Sequence, residues 1–450
     1  MSLGIDIDQF DPDIRPTDDL FRHVNGPWLR TTDIEPDRAT AGAFVTLLDE
    51  AEAKVRGIVE TAQKASADPG ASDDEQRKIG DLYASFMDAD RIEQLGATPL
   101  QTEIDKVDAI TSIEDFVGTL GELERVGVGS VFGMFIAPDE GNPDRYIAYL
   151  MQSGLGLPDE SYYREDSFEP IREAYVAHIQ AMYDLAGIDD SAARAHRVFV
   201  LETRIAQFHW DRVSCRDAQK TYNPKNNDEL RQLISAFDWD SWAARAKIPA
   251  PVIAEVIVGQ PSYLEGLNTL LTSDDLESWK DWLRWQTVHS AAPYLSSAFV
   301  DANFAFYGKT LSGTDELRPR WKRGVGFVEG AMGEALGKIY VRTEFPASSK
   351  ERMEELIANL IEAYRQSITA LSWMSEETKQ QALEKLDSFT PKIGHPENWR
   401  DYSALETAPD DLLGNARRSL AVSMDREIAK IGSPIDRDEW YMTPQTVNAY

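Results

Sequence analysis

Cysteine and positive charge are the scarce features of this 450-residue chain. Its one cysteine, Cys215, excludes an intrachain disulfide and a zinc cluster built from cysteines, so the sequence predicts a reducing, cytoplasmic location. Lysine and arginine number 46 against 77 aspartates and glutamates, which gives a net charge of −31. Because phosphate backbones and anionic lipid surfaces repel such a chain, neither nucleic acid nor a membrane is expected as a partner.

Long apolar runs are missing as well. No stretch approaches the ~20 apolar residues that a membrane span needs. Met1–Pro16 has neither the basic start nor the apolar core of a secretory signal. We therefore expect a soluble protein. Hydrophobic residues still make up 42% of the chain and aromatic residues 10%, which is enough for a packed globular fold of two or three domains or one large helical assembly.

The usual local signatures of catalysis are also absent. Zinc hydrolases carry two histidines one helical turn apart in H-E-x-x-H, but no two of the six histidines here are three or four residues apart. The sequence has no G-x-S-x-G elbow, P-loop or G-x-G-x-x-G fingerprint. A glycosidase-like carboxylate pair stays open, because 77 acidic residues make any single pair uninformative. These residues alone predict a large acidic helical protein without a visible catalytic centre.

Apolar residues recur at spacings of three and four through most of the chain, which predicts a mainly α fold. The clearest helix covers Ser348–Leu371, where Ser348 and Glu351 form a capping-box pattern. A second helix follows, with Ser375 as its cap and Pro391 just beyond its end. The two segments predict a helical hairpin.

Two segments depart from the helical pattern. Val131–Leu150 has two apolar runs on either side of a turn-rich stretch, Pro138–Pro143, and predicts a short antiparallel β-hairpin. Ser66–Asp74 is small, polar and rich in helix breakers, so it predicts an exposed loop between helices.

Four further segments have distinctive sequences. They are DDLFRHVNGPWLRTTDIEPDR at Asp18–Arg38, LGLPDESYY at Leu155–Tyr163, the W-M-x-x-E-T-K hairpin within Gly337–Pro396, and DEWYMTPQTVNAY at Asp438–Tyr450. Together they resemble the neprilysin and endothelin-converting enzyme family of zinc metallopeptidases, in the form that its cytoplasmic bacterial members take. The resemblance covers nearly the whole chain. It implies a zinc-dependent metalloendopeptidase of small peptides, with a large helical lid lobe over a thermolysin-like α+β catalytic lobe.

The N-A-Y motif near the end of the chain carries the implied substrate contacts. In the family this strand lies along the substrate, whose backbone it binds through the asparagine side chain and the alanine backbone. By match, Asn448 and Ala449 take these substrate-binding roles. The family also holds the substrate's C-terminal carboxylate with arginines after its first segment. Only Arg38 is available here, out of register, and no clamp is assigned to it.

The resemblance also divides the chain. Residues 1–36 are expected to form an arm that packs with the catalytic lobe, residues 37–396 the helical lid, and residues 397–450 the connection and first substrate-binding strand of the catalytic lobe. The end of the sequence within a strand motif is typical of truncation rather than of a domain boundary.

The family's catalytic and zinc-binding residues follow the N-A-Y strand, so no catalytic or metal-binding residue is assigned in this chain. We expect the chain to enclose small peptide substrates, to depend on Zn2+ and a C-terminal catalytic portion, and to be inactive alone. The alternative from another class is a non-catalytic helical peptide-binding or scaffold protein.

Overall fold

Helices form most of the computed structural model, which describes residues 7–66 and 73–449. This confirms the prediction of a mainly α fold. The predicted loop Ser66–Asp74 lies largely outside the described residues, and helices flank it on both sides. In the described ranges the α-helices are α1 Leu20–Thr31, α2 Ala43–Ser66, α3 Asp74–Met87, α4 Ala89–Leu95, α5 Gln101–Asp108, α6 Ile113–Glu124, α7 Ser161–Arg164, α8 Glu169–Leu185, α9 Ser191–Ala206, α10 Ala218–Thr221, α11 Asn227–Leu233, α12 Trp239–Ala246, α13 Pro261–Ser273, α14 Leu276–Ala291, α15 Ser297–Asn303, α16 Arg320–Glu344, α17 Ala347–Ala370, α18 Glu376–Asp387 and α19 Leu412–Ile428.

A small sheet interrupts the helices. Its strands are β1 Phe132–Asp139, β2 Asn142–Gln152, β3 Pro224–Asn226 and β4 Glu255–Val258, in the order β1-β2-β4-β3. The antiparallel pair of β1 and β2 confirms the predicted hairpin. β4 pairs parallel with β2 and antiparallel with β3. The sequence did not predict β3 and β4, because three or four residues are too few to show an alternating pattern.

The turn of the β1–β2 hairpin is tighter than predicted. Pro138 and Pro143 lie within the strands, and only Glu140 and Gly141 connect them. The carboxylate of Asp139 accepts a hydrogen bond from the backbone N–H of Gly141 at 2.8 Å, which closes the turn. Proline at these places is tolerated because both lie next to the irregular end of the ladder.

Two large hydrophobic cores contain most of the buried apolar residues in the described ranges. The smaller core joins α2, α3 and α16, with Val55, Leu82 and Met332 fully buried. Met332 has non-helical backbone angles, φ −138° and ψ 40°, so α16 is kinked where it crosses this core. The larger core joins the sheet to α5–α9 and α11–α15. Its fully buried tryptophans are Trp239, Trp242, Trp279, Trp282 and Trp285.

The predicted helical hairpin is present as α17 and α18, but one of its two caps is wrong. Ser375 caps α18 as predicted, with its hydroxyl oxygen accepting the N–H of Thr378 at 3.2 Å. The capping box of Ser348 and Glu351 does not form, because α17 begins directly after Pro346 and Ser348 already lies inside the helix. Proline can precede the first turn since it has no N–H to satisfy there.

Every helix in the part of the chain that the structure describes is too short or too polar to cross a lipid bilayer.

Candidate functional site

Charged side chains hold the segment that follows α19. Lys430 Nζ lies 2.8 Å from a carboxylate oxygen of Glu427 and 2.6 Å from one of Glu439. Burial opposes the charge on Lys430, but the hydrogen bonds to these carboxylates leave its pKa raised. Arg400 Nη2 donates to the carbonyl oxygen of Trp440 at 3.1 Å. These contacts fix the chain at residues 439–440 before it reaches α16.

Residues 443–445 then dock against α16. Gln445 is only 4% exposed, and its Nε2 donates to the carbonyl oxygen of Gly333 at 3.1 Å. A Cβ atom on Gly333 would lie 2.8 Å from Thr443 Cγ2, and one on Gly337 would lie 2.6 Å from Pro444 Cδ. The two segments can approach this closely because neither glycine has a side chain.

The two predicted substrate-binding residues, Asn448 and Ala449, are exposed at the end of this segment. The backbone N–H of Asn448 donates to the carbonyl oxygen of Thr446 at 3.1 Å, and the Asn448 side-chain oxygen accepts the N–H of Ala449 at 2.9 Å. The strand predicted at Asp438–Tyr450 is wrong for the described residues 438–449. A strand needs a neighbouring strand for its hydrogen-bond ladder, and the described sheet contains β1–β4 only. Tyr450 lies outside the described residues.

Arg38 is held in ion pairs. Its guanidinium contacts the carboxylate of Asp49 and lies 3.5 Å from that of Asp37. Lys322 Nζ also lies 3.0 Å from Asp37, so two cations share these carboxylates. Arg38 therefore stabilises the junction between the first segment and α16, and the structure gives no reason to assign it a substrate carboxylate.

The histidines do not form a metal site in the described ranges. Burial lowers the pKa of His178 to about 3, that of His289 to about 4 and that of His209 to about 4. A ring nitrogen of His209 lies 3.0 Å from the carbonyl oxygen of Ser153, which ties it to the backbone. Among the described residues, no three His, Cys, Asp or Glu side chains converge to hold a metal ion. These residues do not fit a zinc ion, and no catalytic step is assigned through one.

A cavity of about 840 Å³ lies between α17, the loop at residues 390–400 and the segment at residues 433–440. Its lining mixes both charges, including Lys350, Glu354, Lys392 and Asp436. Asn448 and Ala449 do not line it. The sequence did not predict this cavity, because its walls come from segments far apart in the sequence that only the fold brings together.

The Leu155–Tyr163 segment is fixed by buried hydrogen bonds. The hydroxyl of Tyr163 donates to Glu202 Oε2 at 2.7 Å and accepts the N–H groups of Gly156 and Leu157 at 3.2 and 3.1 Å. Burial raises the pKa of Glu202 to about 7, against the hydrogen bonds that it accepts. This motif therefore has a structural role in the described fold: it anchors the loop after β2.

Comparison with known proteins decides the family. Residues 16–396 match the sequence profile of peptidase family M13. The chain belongs to this family. At 27% identity it is similar to endothelin-converting enzyme 1 of Cavia porcellus, and at 29% to membrane metallo-endopeptidase-like 1 of Homo sapiens. Both matches cover 99% of this chain and 61% of the relative, so the chain spans about three fifths of the length of these curated relatives.

The fold is similar to that of a solved M13 structure. With the zinc metalloprotease Zmp1 of Mycobacterium tuberculosis in complex with an inhibitor, the chain shares 46% identity and a TM-score of 0.94. The match covers 99% of this chain and 68% of the Zmp1 chain. The resemblance to the neprilysin and endothelin-converting enzyme family is thereby confirmed.

Proposed function

We propose that this chain forms the substrate-enclosing part of a zinc-dependent metalloendopeptidase that hydrolyses internal bonds of small peptides in the cytoplasm. The observation that carries the proposal is the match of 99% of the chain to the zinc metalloprotease Zmp1, at a TM-score of 0.94. Membership of family M13 gives the peptidase class. We also propose that the enzyme depends on zinc, acts on small peptides and is located in the cytoplasm.

The exposed apolar residues of the first segment support a division of the chain. We propose that residues 1–36 form an arm that packs with a catalytic lobe, that residues 37–396 form the lid, and that residues 397–450 return to that lobe. On α1, Leu20, Phe21, Trp28 and Leu29 are 40% to 63% exposed. Such an apolar face is expected to be covered by protein.

The α17–α18 hairpin presents a second apolar face. Met353, Leu356, Leu360 and Tyr364 lie on one side of α17 and are 43% to 56% exposed. Their spacing of three and four residues places them on one stripe of the helix. We assign this stripe, together with the face of α1, to contact with a C-terminal catalytic portion.

Asn448 and Ala449 are proposed to bind the substrate backbone by β-augmentation. Both are exposed, and within the described residues the Asn448 side-chain oxygen accepts a hydrogen bond from the neighbouring N–H of Ala449. A peptide N–H can replace this local hydrogen bond, because the exchange keeps the number of hydrogen bonds constant. An extended peptide paired with this segment would also supply the strand neighbour that the described residues lack.

A polypeptide of these 450 residues alone is proposed to be inactive. Its sequence has no H-E-x-x-H motif, and among its described residues no three His, Cys, Asp or Glu side chains lie close enough together to bind a metal ion. We expect the purified polypeptide to contain no stoichiometric zinc by elemental analysis and to leave a library of fluorogenic peptides uncleaved. Stoichiometric zinc together with phosphoramidon-sensitive cleavage would contradict the inactivity and would leave the peptidase assignment in place.

Sequencing the gene past the codon for Tyr450 tests the proposed catalytic portion. An H-E-x-x-H helix in frame supports the metalloendopeptidase. A stop codon, with an intact mass that ends at Tyr450, favours the non-catalytic helical peptide-binding or scaffold protein.

A further inference from the structure

The segment Thr443–Gln445 packs against the side of α16 that carries two glycines, Gly333 and Gly337. Gly333 and Gly337 are four residues apart, so they share one side of the helix. An added Cβ on either would come within 3 Å of this segment. On the same helix, an added Cβ on Gly326 or Gly330 would have nothing within 4 Å. Glycine is therefore required where the segment docks and is not required at Gly326 or Gly330.

Gln445 provides the polar part of this contact. Its Nε2 donates to the Gly333 carbonyl at 3.1 Å in a buried setting, one residue after the kink at Met332. The Gln445 side-chain oxygen is also buried and has no partner within the described ranges, so the Nε2 group alone makes the hydrogen bonds of this amide. The neighbouring Glu329 carboxyl has its pKa raised by burial, partly offset by a hydrogen bond from Gln445.

We propose that Gln445 is a positioning residue for peptide binding: its bond to Gly333 fixes the place at which Asn448 and Ala449 meet a substrate. The inference rests on the substrate roles proposed above for those two residues. Asn448 lies three positions after Gln445, a span of up to roughly 10 Å when extended. Without the anchor, rotations in the preceding backbone would displace Asn448 by a large part of that span.

Amide hydrogen exchange of the 450-residue chain tests the anchor itself. Gln445→Met keeps the side-chain volume but removes the donor, and Gly337→Ala places a methyl group against Pro444. We expect both to speed exchange across residues 440–449 by roughly ten-fold, the effect of losing one buried hydrogen bond. Gly330→Ala is the matched control and should leave this exchange unchanged. Unchanged exchange in both Gln445→Met and Gly337→Ala, with α14 still protected, overturns the proposal.

A double-mutant cycle in the zinc-loaded enzyme that contains these residues tests positioning against a merely structural role. Gln445→Met is expected to lower kcat/KM roughly ten-fold, mainly through KM, and to add little when Asn448→Ala is already present. Losses that simply add would overturn the positioning role. If Asn448→Ala alone leaves kcat/KM unchanged, the proposed substrate role of Asn448 fails, while the exchange experiment still decides whether Gln445 anchors the segment.

Discussion

Glu202 is a buried carboxyl group held by tyrosine hydroxyls. Tyr163 and Tyr175 donate to its oxygens at 2.7 and 2.9 Å. Burial raises its pKa from 4.5 to about 7. Between these values the folded protein keeps a proton that the unfolded chain releases. Its stabilising contribution is therefore complete below pH 4.5 and is lost as the pH rises through 7.

Glu202→Gln should remove this pH dependence. At about 1.4 kcal/mol per pH unit, the raised pKa of Glu202 corresponds to about 3 kcal/mol of unfolding free energy. The wild type should lose this amount between pH 4 and pH 8, whereas the variant should not. Urea unfolding at a series of pH values measures the difference. Glu354→Gln, on the exposed side of α17, is the control. A residual slope is expected from Glu124, whose pKa burial also raises to about 7.

Single residues show how far the sequence could predict the site. Asn448 and Ala449 could be proposed from the sequence because a contiguous motif carries them. The contacts that hold them were not found, because Gln445 meets Gly333 across more than a hundred residues of sequence. Glu202 was missed for the same reason: an acidic residue on α9 gives no sequence signal that two distant tyrosines will bury it.

The N-termini of α17 and α18 differ in capping, and the difference can be measured. Ser375→Ala should destabilise α18 by about 1 kcal/mol, because the Thr378 N–H loses its acceptor. Ser348→Ala should have almost no effect, because Ser348 makes no cap in α17. Exchange rates of the amides in the first turn of α18 report the change. Equal effects of both substitutions would contradict the cap assignment.

The apolar stripe of α17 contributes little to the stability of the described fold. Leu356→Glu should change the unfolding free energy by less than about 0.5 kcal/mol, because the side chain is already exposed. It should also weaken the binding of a dye that recognises exposed apolar surface. Leu336→Glu, on the buried side of α16, is the contrasting variant and should prevent folding of the smaller core. A large loss of stability from Leu356→Glu would show that the stripe packs within this chain.

Elements were predictable where their signal is local. Periodicity predicted the helical hairpin, and two apolar runs around a turn-rich stretch predicted β1 and β2. The start of α17 was misplaced because Pro346 sets it and the Ser348 pattern only resembles a cap. The strand predicted at Asp438–Tyr450 is absent from the described residues 438–449 for a different reason: pairing is a property of two segments, and the described sheet contains β1–β4 only.

At the scale of the whole molecule, the described residues form two large cores, and we expect these to respond separately to mutation. Leu82→Ala should cost about 2–5 kcal/mol in the core of α2, α3 and α16. Leu283→Ala should cost a similar amount in the larger core, around α14. Hydrogen exchange in urea, followed helix by helix, distinguishes the two losses. Identical loss of protection throughout the chain from either variant would show a single cooperative unit.

The distribution of tryptophan allows one of these cores to be followed by intrinsic fluorescence. Five of the eleven tryptophans lie fully buried in the larger core, whereas Trp321 only packs against the edge of the smaller one. Intrinsic fluorescence therefore follows mainly the larger core as the chain unfolds. Far-ultraviolet dichroism follows the helices of both. A gap between the two denaturation curves would show directly that a single unfolding free energy does not describe this protein.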